Sequence, residues 1–289
     1  MTPAEAAAAA QLACLLEASA PKPGNVSPGL HFHDTRYEDF LASAVAIAPA
    51  MAAAGERCLG ATIRAGVEAT RRVTGRNTNL GIVLLLAPLC RAALRTGGTL
   101  RERVRGVLAE TSVADAAEAY AAIRLAAPSG LGSTGSQDVA TEPTVTLREA
   151  MALAADRDSV AREYVTDFAI TFELGAPALR AARGAGLAWT DAVVEAYLGI
   201  LAAVPDSHVG RKLGPAAAAA ISRRAAAVRA AGGVRTPEGR AALVAFDAEL
   251  RDERNTRNPG TSADLAAAAI CAVILEDGWH SSGAQARAE

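Results

Sequence analysis

Residues 261–273 read TSADLAAAAICAV, and this stretch decides the fold class. Thr261 followed three residues later by Asp264 has the spacing of a helix-capping box, and alanine has the highest intrinsic helix propensity. The same spacing precedes other stretches rich in Ala, Leu and Val, at Thr2 with Glu5, Thr35 with Glu38, Thr99 with Glu102 and Thr146 with Glu149. The sequence therefore predicts that a helix begins at each of these points.

The composition extends this prediction to the whole chain. Alanine accounts for 72 of the 289 residues, and aromatic residues make up only 4%. The β-branched and aromatic residues that favour strands are sparse and scattered, which excludes a β-sandwich or a barrel. We expect an all-α fold, a single compact domain of roughly a dozen helices over residues 1–280, followed by a flexible C-terminal tail at 281–289.

Charge and hydropathy narrow the class of partner. The net charge of −2 provides no global field to attract nucleic acid. The longest uncharged run, residues 40–55, is too short for a membrane span and contains Pro49. Glu5 and Glu17 interrupt the N-terminal apolar run, unlike a secretory signal. We expect a cytoplasmic protein that binds small molecules and whose four cysteines are ordinary buried thiols. Alanine-rich faces would let helices pack closely within one subunit or between the two subunits of a homodimer.

The rare residues of the chain are concentrated in four short windows. Of the 29 basic residues, only Lys22 and Lys212 are lysine, and the chain has five Asn and four His. Both Lys, all five Asn and three His fall within residues 22–34, 75–81, 206–214 and 255–264. Because Lys is a compact point charge and Arg a planar fork, the two are not interchangeable at a binding site. The windows are therefore predicted to contain the functional site, although Asn is also common in turns and caps.

The first window has the features of an anion-binding loop. Lys22 lies between two prolines, which stiffen the backbone and would present the ammonium at low entropic cost. Glu17, near the end of the preceding helix, is predicted to lie beside this loop. His31, His33 and Asp34 follow, and they either form a metal triad or are hydrogen-bonded structure.

The other windows place polar groups next to helix ends. Asn77, Thr78 and Asn79 precede the apolar helix over 82–94, where backbone N–H groups favour an anion. In the third window Asp206 offers an oxygen ligand for Mg²⁺, and Arg211 and Lys212 offer charge for phosphates.

The fourth window, residues 254–265, suits a phosphate, a hydrated cation or an ordinary solvated cap. The Gly- and Ser-rich segment over 128–145 is either a lid over a nucleotide or a connector.

The order of these motifs resembles the triphosphoribosyl-dephospho-CoA synthase family. The family's Pro-Lys-Pro-Gly loop corresponds to residues 21–24, its Asn-Thr segment to 77–78, its Asp-Thr-Asn stretch to 206–208, and its Arg-Asn and Ser-Ala-Asp-Leu signature to 257–258 and 262–265. Three segments depart from the family pattern. The family's Tyr-Gly and Arg-Gly segment has no clear counterpart within residues 128–175. Asn79 and Leu80 stand where the family has His and then Lys or Arg, and residues 211–214 replace His-Arg-Gly-Gly. The chain is therefore similar to a divergent branch of the family.

This resemblance implies a transferase for which ATP is the donor substrate. The 2′-hydroxyl of dephospho-CoA attacks the anomeric carbon of the ATP ribose, adenine leaves, and the triphosphate is retained. Such a reaction needs a carboxylate near the ribose, a general base and cations on the phosphates.

The resemblance also assigns roles to the residues of the windows. Asp34, Asp206 and Asp264 become candidates for catalysis. The candidates for substrate and phosphate binding are Lys22, Asn25, Asn77, Thr78, Arg211, Lys212, Asn258 and Ser262. Glu17, Asp34, Asp206 and Asp264 would hold Mg²⁺.

Two alternatives stay open. Similar sequences occur among genes for tetrahydromethanopterin and methanofuran, so the chain could be another ATP- or phosphate-dependent enzyme of one-carbon cofactor assembly. It could also be a helical nucleotide-binding protein without catalysis. Retention of Lys22, Asn77 and Asp264 argues against a pure scaffold, which would tolerate Arg, Ala or Ser at these positions.

Overall fold

The computed structural model describes residues 1–128, 130, 132 and 135–280. The prediction of an all-α fold is confirmed, because this part of the chain is built from helices and contains no strand. The predicted tail at 281–289 lies outside the described residues. The first nine helices are α1 Pro3–Ser19, α2 Tyr37–Ala46, α3 Ala48–Ala52, α4 Leu59–Val73, α5 Leu80–Ala93, α6 Leu100–Ala109, α7 Val113–Ala126, α8 Leu147–Ala152 and α9 Ser159–Val165.

The second half of the chain has the same character. Its helices are α10 Ala176–Gly184, α11 Trp189–Ala203, α12 Ser207–Leu213, α13 Pro215–Ala230, α14 Pro237–Leu250 and α15 Gly260–Asp277. Short 3₁₀ turns lie at Ala53–Gly55 and Gly233–Arg235, and a π-helical turn at Ile170–Gly175 precedes α10.

These helices form two compact units. Unit 1 consists of Met1–Leu15 and Glu38–Ala169, and unit 2 begins with Leu16–Tyr37 and continues from Ile170. Each unit is assembled from two separate segments of sequence, so the chain does not divide into two consecutive domains.

The core of unit 1 is built around α5, in which twelve of fourteen residues are buried. Pro88 lies inside this helix and has no N–H. The carbonyl of Leu84, one turn earlier, therefore lacks its usual helical hydrogen bond. The Tyr164 hydroxyl donates to that carbonyl at 2.6 Å, and this bond satisfies a buried acceptor. Burial raises the pKa of Tyr164 far above its usual value, which keeps the hydroxyl protonated as a donor.

The pairing of α4 with α7 depends on a glycine. The Gly60 N–H donates to Asp115 Oδ1 at 2.8 Å, and a Cβ at Gly60 would lie 2.4 Å from the Asp115 carbonyl oxygen. Only glycine therefore permits this approach. Asp115 also forms a capping box with Ser112 at the start of α7, which is not among the boxes predicted from the sequence.

The predicted helix starts have mixed outcomes. Capping boxes form at Thr99 with Glu102 and at Thr146 with Glu149, and Thr2 and Glu5 exchange the same two hydrogen bonds. At the other two points a helix begins within two residues of the predicted start, but not at a capping Thr. Helix α2 begins at Tyr37, two residues beyond Thr35, and α15 begins at Gly260, which places Thr261 inside the helix.

Two further segments bear on the predictions. The segment Tyr37–Gly55 is long and apolar enough to cross a membrane. This is weak evidence for a membrane span, because core helices pass the same test.

In the predicted lid segment, the Tyr120 hydroxyl donates to the carbonyl of Gln137 at 2.7 Å, and Arg124 donates to that of Val139 at 2.6 Å. The described part of this segment is therefore tied to α7, and its role as a lid stays a prediction.

Candidate active site

Three of the four windows lie in unit 2 and are joined there by hydrogen bonds. They are the loop at 21–34, helix α12 with its N-cap, and the segment at 252–264 that leads into α15. The second window, at 75–81, lies in unit 1 and is described separately.

Lys22 is buried and fully engaged. Only 1% of the residue is exposed, and its Nζ lies 3.0 Å from Glu17 Oε1. The ammonium also donates to the carbonyl oxygens of Glu17 and Ala20, which close the end of α1. An ammonium has three N–H donors, so this geometry does not support the expected presentation of Lys22 to a phosphate, nor Glu17 as a metal ligand. The pair instead fixes the entry to the loop.

Asn25 and Asn258 connect the first and fourth windows. Asn258 Nδ2 donates to Asn25 Oδ1 at 3.2 Å. Asn25 Nδ2 in turn donates to the Tyr197 hydroxyl at 3.1 Å, and that hydroxyl donates to the carbonyl of Pro23 at 2.8 Å. All of these groups are buried. Both Asn side chains, predicted to bind substrate, therefore hold the backbone of the loop in place.

A second clamp reaches the same loop from α14. The Gly24 N–H donates to Asp247 Oδ1 at 2.8 Å, and Asp247 pairs with Arg251 at 2.7 Å. Arg251 also donates to the carbonyl of Asn25 at 2.9 Å. Gly24 has φ +75°, a conformation that favours glycine, and an added Cβ would lie 2.9 Å from Leu250. Tyr197, Asp247 and Arg251 were not predicted from the sequence, where only the spacing of Asp247 and Arg251 on one helix face could have indicated a pair.

The third window forms helix α12 and is not a loop between helices. Asp206 is the N-cap of this helix, and its side chain accepts the Val209 N–H at 2.9 Å. The other oxygen of Asp206 accepts the backbone N–H and the hydroxyl of Ser262, at 2.7 Å and 2.8 Å. Ser207 donates to Thr261 at 3.0 Å. The starts of α12 and α15 are thus joined. Burial raises the pKa of Asp206, opposed by these hydrogen bonds. Asp206 and Ser262 bind each other, which does not support Asp206 as a metal ligand or base, or Ser262 as a phosphate ligand.

His208 lies on α12 as a neutral base. Burial lowers its pKa to about 3, with smaller contributions from the positive charges of Lys212 and Arg211. Arg211 Nη2 lies 3.4 Å from His208 Nδ1. The imidazole can therefore accept a hydrogen bond from the guanidinium at neutral pH.

Lys212, in the last turn of α12, is half-buried and has no ion-pair or hydrogen-bond partner in the described part of the chain. Burial lowers the pKa of its ammonium, as does Arg211, whereas Asp252, Asp206 and Asp34 act in the opposite direction. These carboxylates are thus close enough to act on Lys212. Partial desolvation would raise the pKa of Asp252, but hydrogen bonds from Thr256 and nearby backbone N–H groups lower it to about 2.

Asp34 lies next to a second small cluster. Its Oδ1 accepts the Thr35 hydroxyl at 3.0 Å and lies 3.8 Å from His33 Nδ1. His33 in turn contacts Asn255 Nδ2 at 3.0 Å. His31 accepts the Tyr37 N–H at 3.2 Å. Of the two readings of this segment, hydrogen-bonded structure fits these contacts.

The predicted magnesium set is not assembled by the described residues, among which no group of three His, Cys, Asp or Glu side chains could hold a metal. Glu17 is paired with Lys22, and both oxygens of Asp206 accept protein hydrogen bonds. Asp34 and Asp264 remain as candidates. Mg²⁺ usually keeps several waters and binds through few carboxylates together with substrate phosphates, so a four-carboxylate site does not fit this chain.

In unit 1, the second window surrounds the start of α5. Asn77 is exposed, and its Oδ1 accepts the Leu80 N–H at 3.1 Å. Thr78 is buried, with its hydroxyl 2.6 Å from that of Ser43. Asn79 Oδ1 accepts the Thr70 hydroxyl at 2.9 Å, and its buried Nδ2 has no hydrogen-bond partner within the described ranges.

Comparison with known proteins adds an independent observation. The model of the family described as ATP:dephospho-CoA triphosphoribosyl transferase matches residues 3–283. This chain belongs to that family. The triphosphoribosyl transferase family resemblance deduced from the motifs is therefore confirmed, and the chain is a transferase.

A solved structure supports the same assignment. A crystal structure from Archaeoglobus fulgidus, provisionally titled a triphosphoribosyl-dephospho-CoA synthase, is 31% identical, with a TM-score of 0.65. The match covers 83% of this chain and 100% of that chain. No curated protein matches.

Proposed function

We propose that the protein transfers the triphosphoribosyl group of ATP to the ribose hydroxyl of dephospho-CoA. The observation that carries this proposal is the family match over residues 3–283. In the reaction, the acceptor oxygen bonds to the anomeric carbon of ATP while the bond from that carbon to adenine breaks. The hydroxyl proton passes to a base, and adenine leaves as the neutral base after protonation. The triphosphate stays on the transferred ribose.

The cationic end of α12 is the best candidate for the triphosphate. Arg211 and Lys212 are adjacent in the last turn of that helix. Lys212 has no protein partner in the described part of the chain, so a phosphate would complete its hydrogen bonding. Hydrogen bonds between charged groups are stronger than neutral ones. Neutral His208 adds no charge of its own and can orient Arg211.

The remaining candidates divide into two groups. In unit 2, Asp34 and Asp264 are the proposed base and ribose carboxylate. In unit 1, Asn77 and Thr78 stay predicted hydrogen-bonding groups for a substrate. Glu17, Lys22, Asn25, Asp206, Asn258 and Ser262 are proposed to position the loop and the two helix starts. Their hydrogen bonds to each other support this role.

A different acceptor is the second candidate. Asn79 and Leu80, both buried, stand where the resemblance implies His and a basic residue, so this region lacks two groups that could bind a charged acceptor. A one-carbon cofactor precursor would fit such a change. Mg²⁺ and a cytoplasmic location remain part of the proposal.

The test is to incubate the protein with ATP and dephospho-CoA and to measure adenine and ADP. We expect adenine to be released in proportion to acceptor consumed. ADP in place of adenine would contradict ribosyl transfer, whereas adenine release only with another acceptor would favour the second candidate.

Lys212→Gln tests the proposed phosphate contact. We expect the KM for ATP to rise about tenfold, as for loss of one charge-assisted hydrogen bond. The exposed Arg223→Gln on α13 is the matched control and should leave the KM unchanged. An unchanged KM in Lys212→Gln would exclude this contact.

A further inference from the structure

A cavity of about 460 Å³ opens in unit 2 beside the loop at residues 21–23. Its volume falls within the roughly 300–1,000 Å³ of typical small-molecule sites. The apolar walls come from Leu30, Val194, Val234, Leu243 and Val244. The loop contributes its two prolines. Arg211 and Lys212, the proposed phosphate contacts, do not line this cavity.

The charged groups around the cavity are already compensated. Asp191 pairs with Arg240 at 2.7 Å. Asp247 pairs with Arg251, and Lys22 with Glu17. Because each lining charge has an opposite charge in contact, the cavity has no unpaired charge to neutralise. It therefore suits an uncharged ligand, in contrast to the end of α12.

The same polar groups retain hydrogen-bonding capacity. A carboxylate has about four acceptor positions and a guanidinium has five N–H donors. Asp191 and Asp247 are both partly exposed, so each can accept from an amide N–H of a ligand. Arg240, about half exposed, can donate to an amide carbonyl. The lining thus matches a chain that alternates apolar and amide groups.

We propose that this cavity binds the pantetheine arm of dephospho-CoA. The arm is uncharged and carries two methyl groups on one carbon, two amides and a terminal thiol. Its methyl groups would pack against Val194 and Leu243, and its amides would reach Asp191, Asp247 and Arg240. This inference rests on the proposed function for the identity of the acceptor. It assigns the uncharged half of that substrate to a site separate from the phosphate contacts.

The fold links this cavity to the ordered loop. Asp247 lines the cavity and accepts the Gly24 N–H at 2.8 Å. The backbone next to Gly24 is held by Tyr197 and Asn25. Binding of the arm would therefore contact a loop that is already fixed, which lowers the entropic cost of binding.

The experiment compares dephospho-CoA with ADP, which shares the adenosine diphosphate but lacks the arm, by calorimetry on the full chain. We expect dephospho-CoA to bind at least about tenfold more tightly, equivalent to roughly 1.4 kcal/mol. Leu243→Trp fills the cavity and Val244→Asp places a charge at its rim, where Val244 is 72% exposed. Both should remove the difference between the two ligands and leave ATP binding unchanged.

Ala245→Asp is the matched control, since Ala245 is exposed on α14 but does not line the cavity. It should preserve the difference. Equal affinities in the unaltered protein, or a difference that survives Val244→Asp, would overturn the proposal. So would conversion of a dimer to a monomer by Val244→Asp, because this face would then bind a second copy. Absence of adenine release would count against the proposed function alone, because arm-dependent binding is measured without turnover.

Discussion

Lys22 and Lys212 are the two lysines of the chain, and they lie in unit 2 in opposite environments. Lys22 is buried, with its ammonium on Glu17 and on two carbonyls at the end of α1. Lys212 is half-buried, and no described residue pairs with it. A residue type that is rare in a sequence therefore does not indicate one role. One lysine stabilises the fold, and the other has the properties of a ligand contact.

Lys22→Met should produce the largest effect on stability. It leaves the Glu17 carboxylate buried without its partner, and breaking a buried ion pair costs about 3–5 kcal/mol. Chemical denaturation should show a loss of this size. Lys22→Met combined with Glu17→Gln should recover part of it, because the second change removes the unpaired charge. A loss below about 1 kcal/mol would show that the pair does not stabilise the loop.

The pH dependence of stability tests the surroundings of Lys212. The pKa of His208 in the folded state is about 3, below an unfolded value near 6.5. The unfolded chain therefore binds the extra proton as the pH falls through that value, and stability decreases. Between about pH 7 and pH 5, this should cost about 2 kcal/mol.

His208→Asn should remove most of that dependence, because the variant has no imidazole to protonate. His280→Asn, at an exposed position, is the control and should keep the slope of the unaltered protein. Thermal unfolding at several pH values measures both. An equal slope in His208→Asn would mean that His208 can be protonated without cost in the fold, and that the charges at the end of α12 are well screened.

How well the sequence predicts each of these features depends on how far apart the two interacting residues lie along the chain. The capping boxes at Thr99 and Thr146 form as predicted because both partners lie within four residues. At Thr261 the box fails because α15 already begins at Gly260, which places Thr261 inside the helix. The Ser262 N–H near this helix start is bonded to Asp206, 56 positions away. The bond of Asn25 to Asn258 spans 233 positions. A short stretch of sequence shows which residue types are present but not which distant residues they contact. The sequence therefore indicates these residues but not their hydrogen-bond partners.

Helix α12 illustrates the same limit within secondary structure. It has seven residues, lies between Pro205 and Gly214, and includes Gly210. Too few residues are present for a helical period to emerge, and a short helix is marginal in isolation. Its stability comes from the Asp206 cap and from Ser207 bonding to Thr261. Only the structure shows that Arg211 and Lys212 lie in a last helical turn.

Replacing each lysine by arginine gives the smallest and sharpest contrast. Lys22→Arg keeps the charge but inserts a larger planar group among oxygens that already accept three bonds, and overpacking costs about 1–3 kcal/mol. Lys212→Arg should leave stability unchanged and raise the KM for ATP by no more than about threefold, because a half-exposed guanidinium can still bind phosphate. If Lys212→Arg weakens ATP as much as Lys212→Gln, the phosphate site requires a compact ammonium. That result would explain why this position is lysine in a chain whose other basic residues are, Lys22 apart, all arginine.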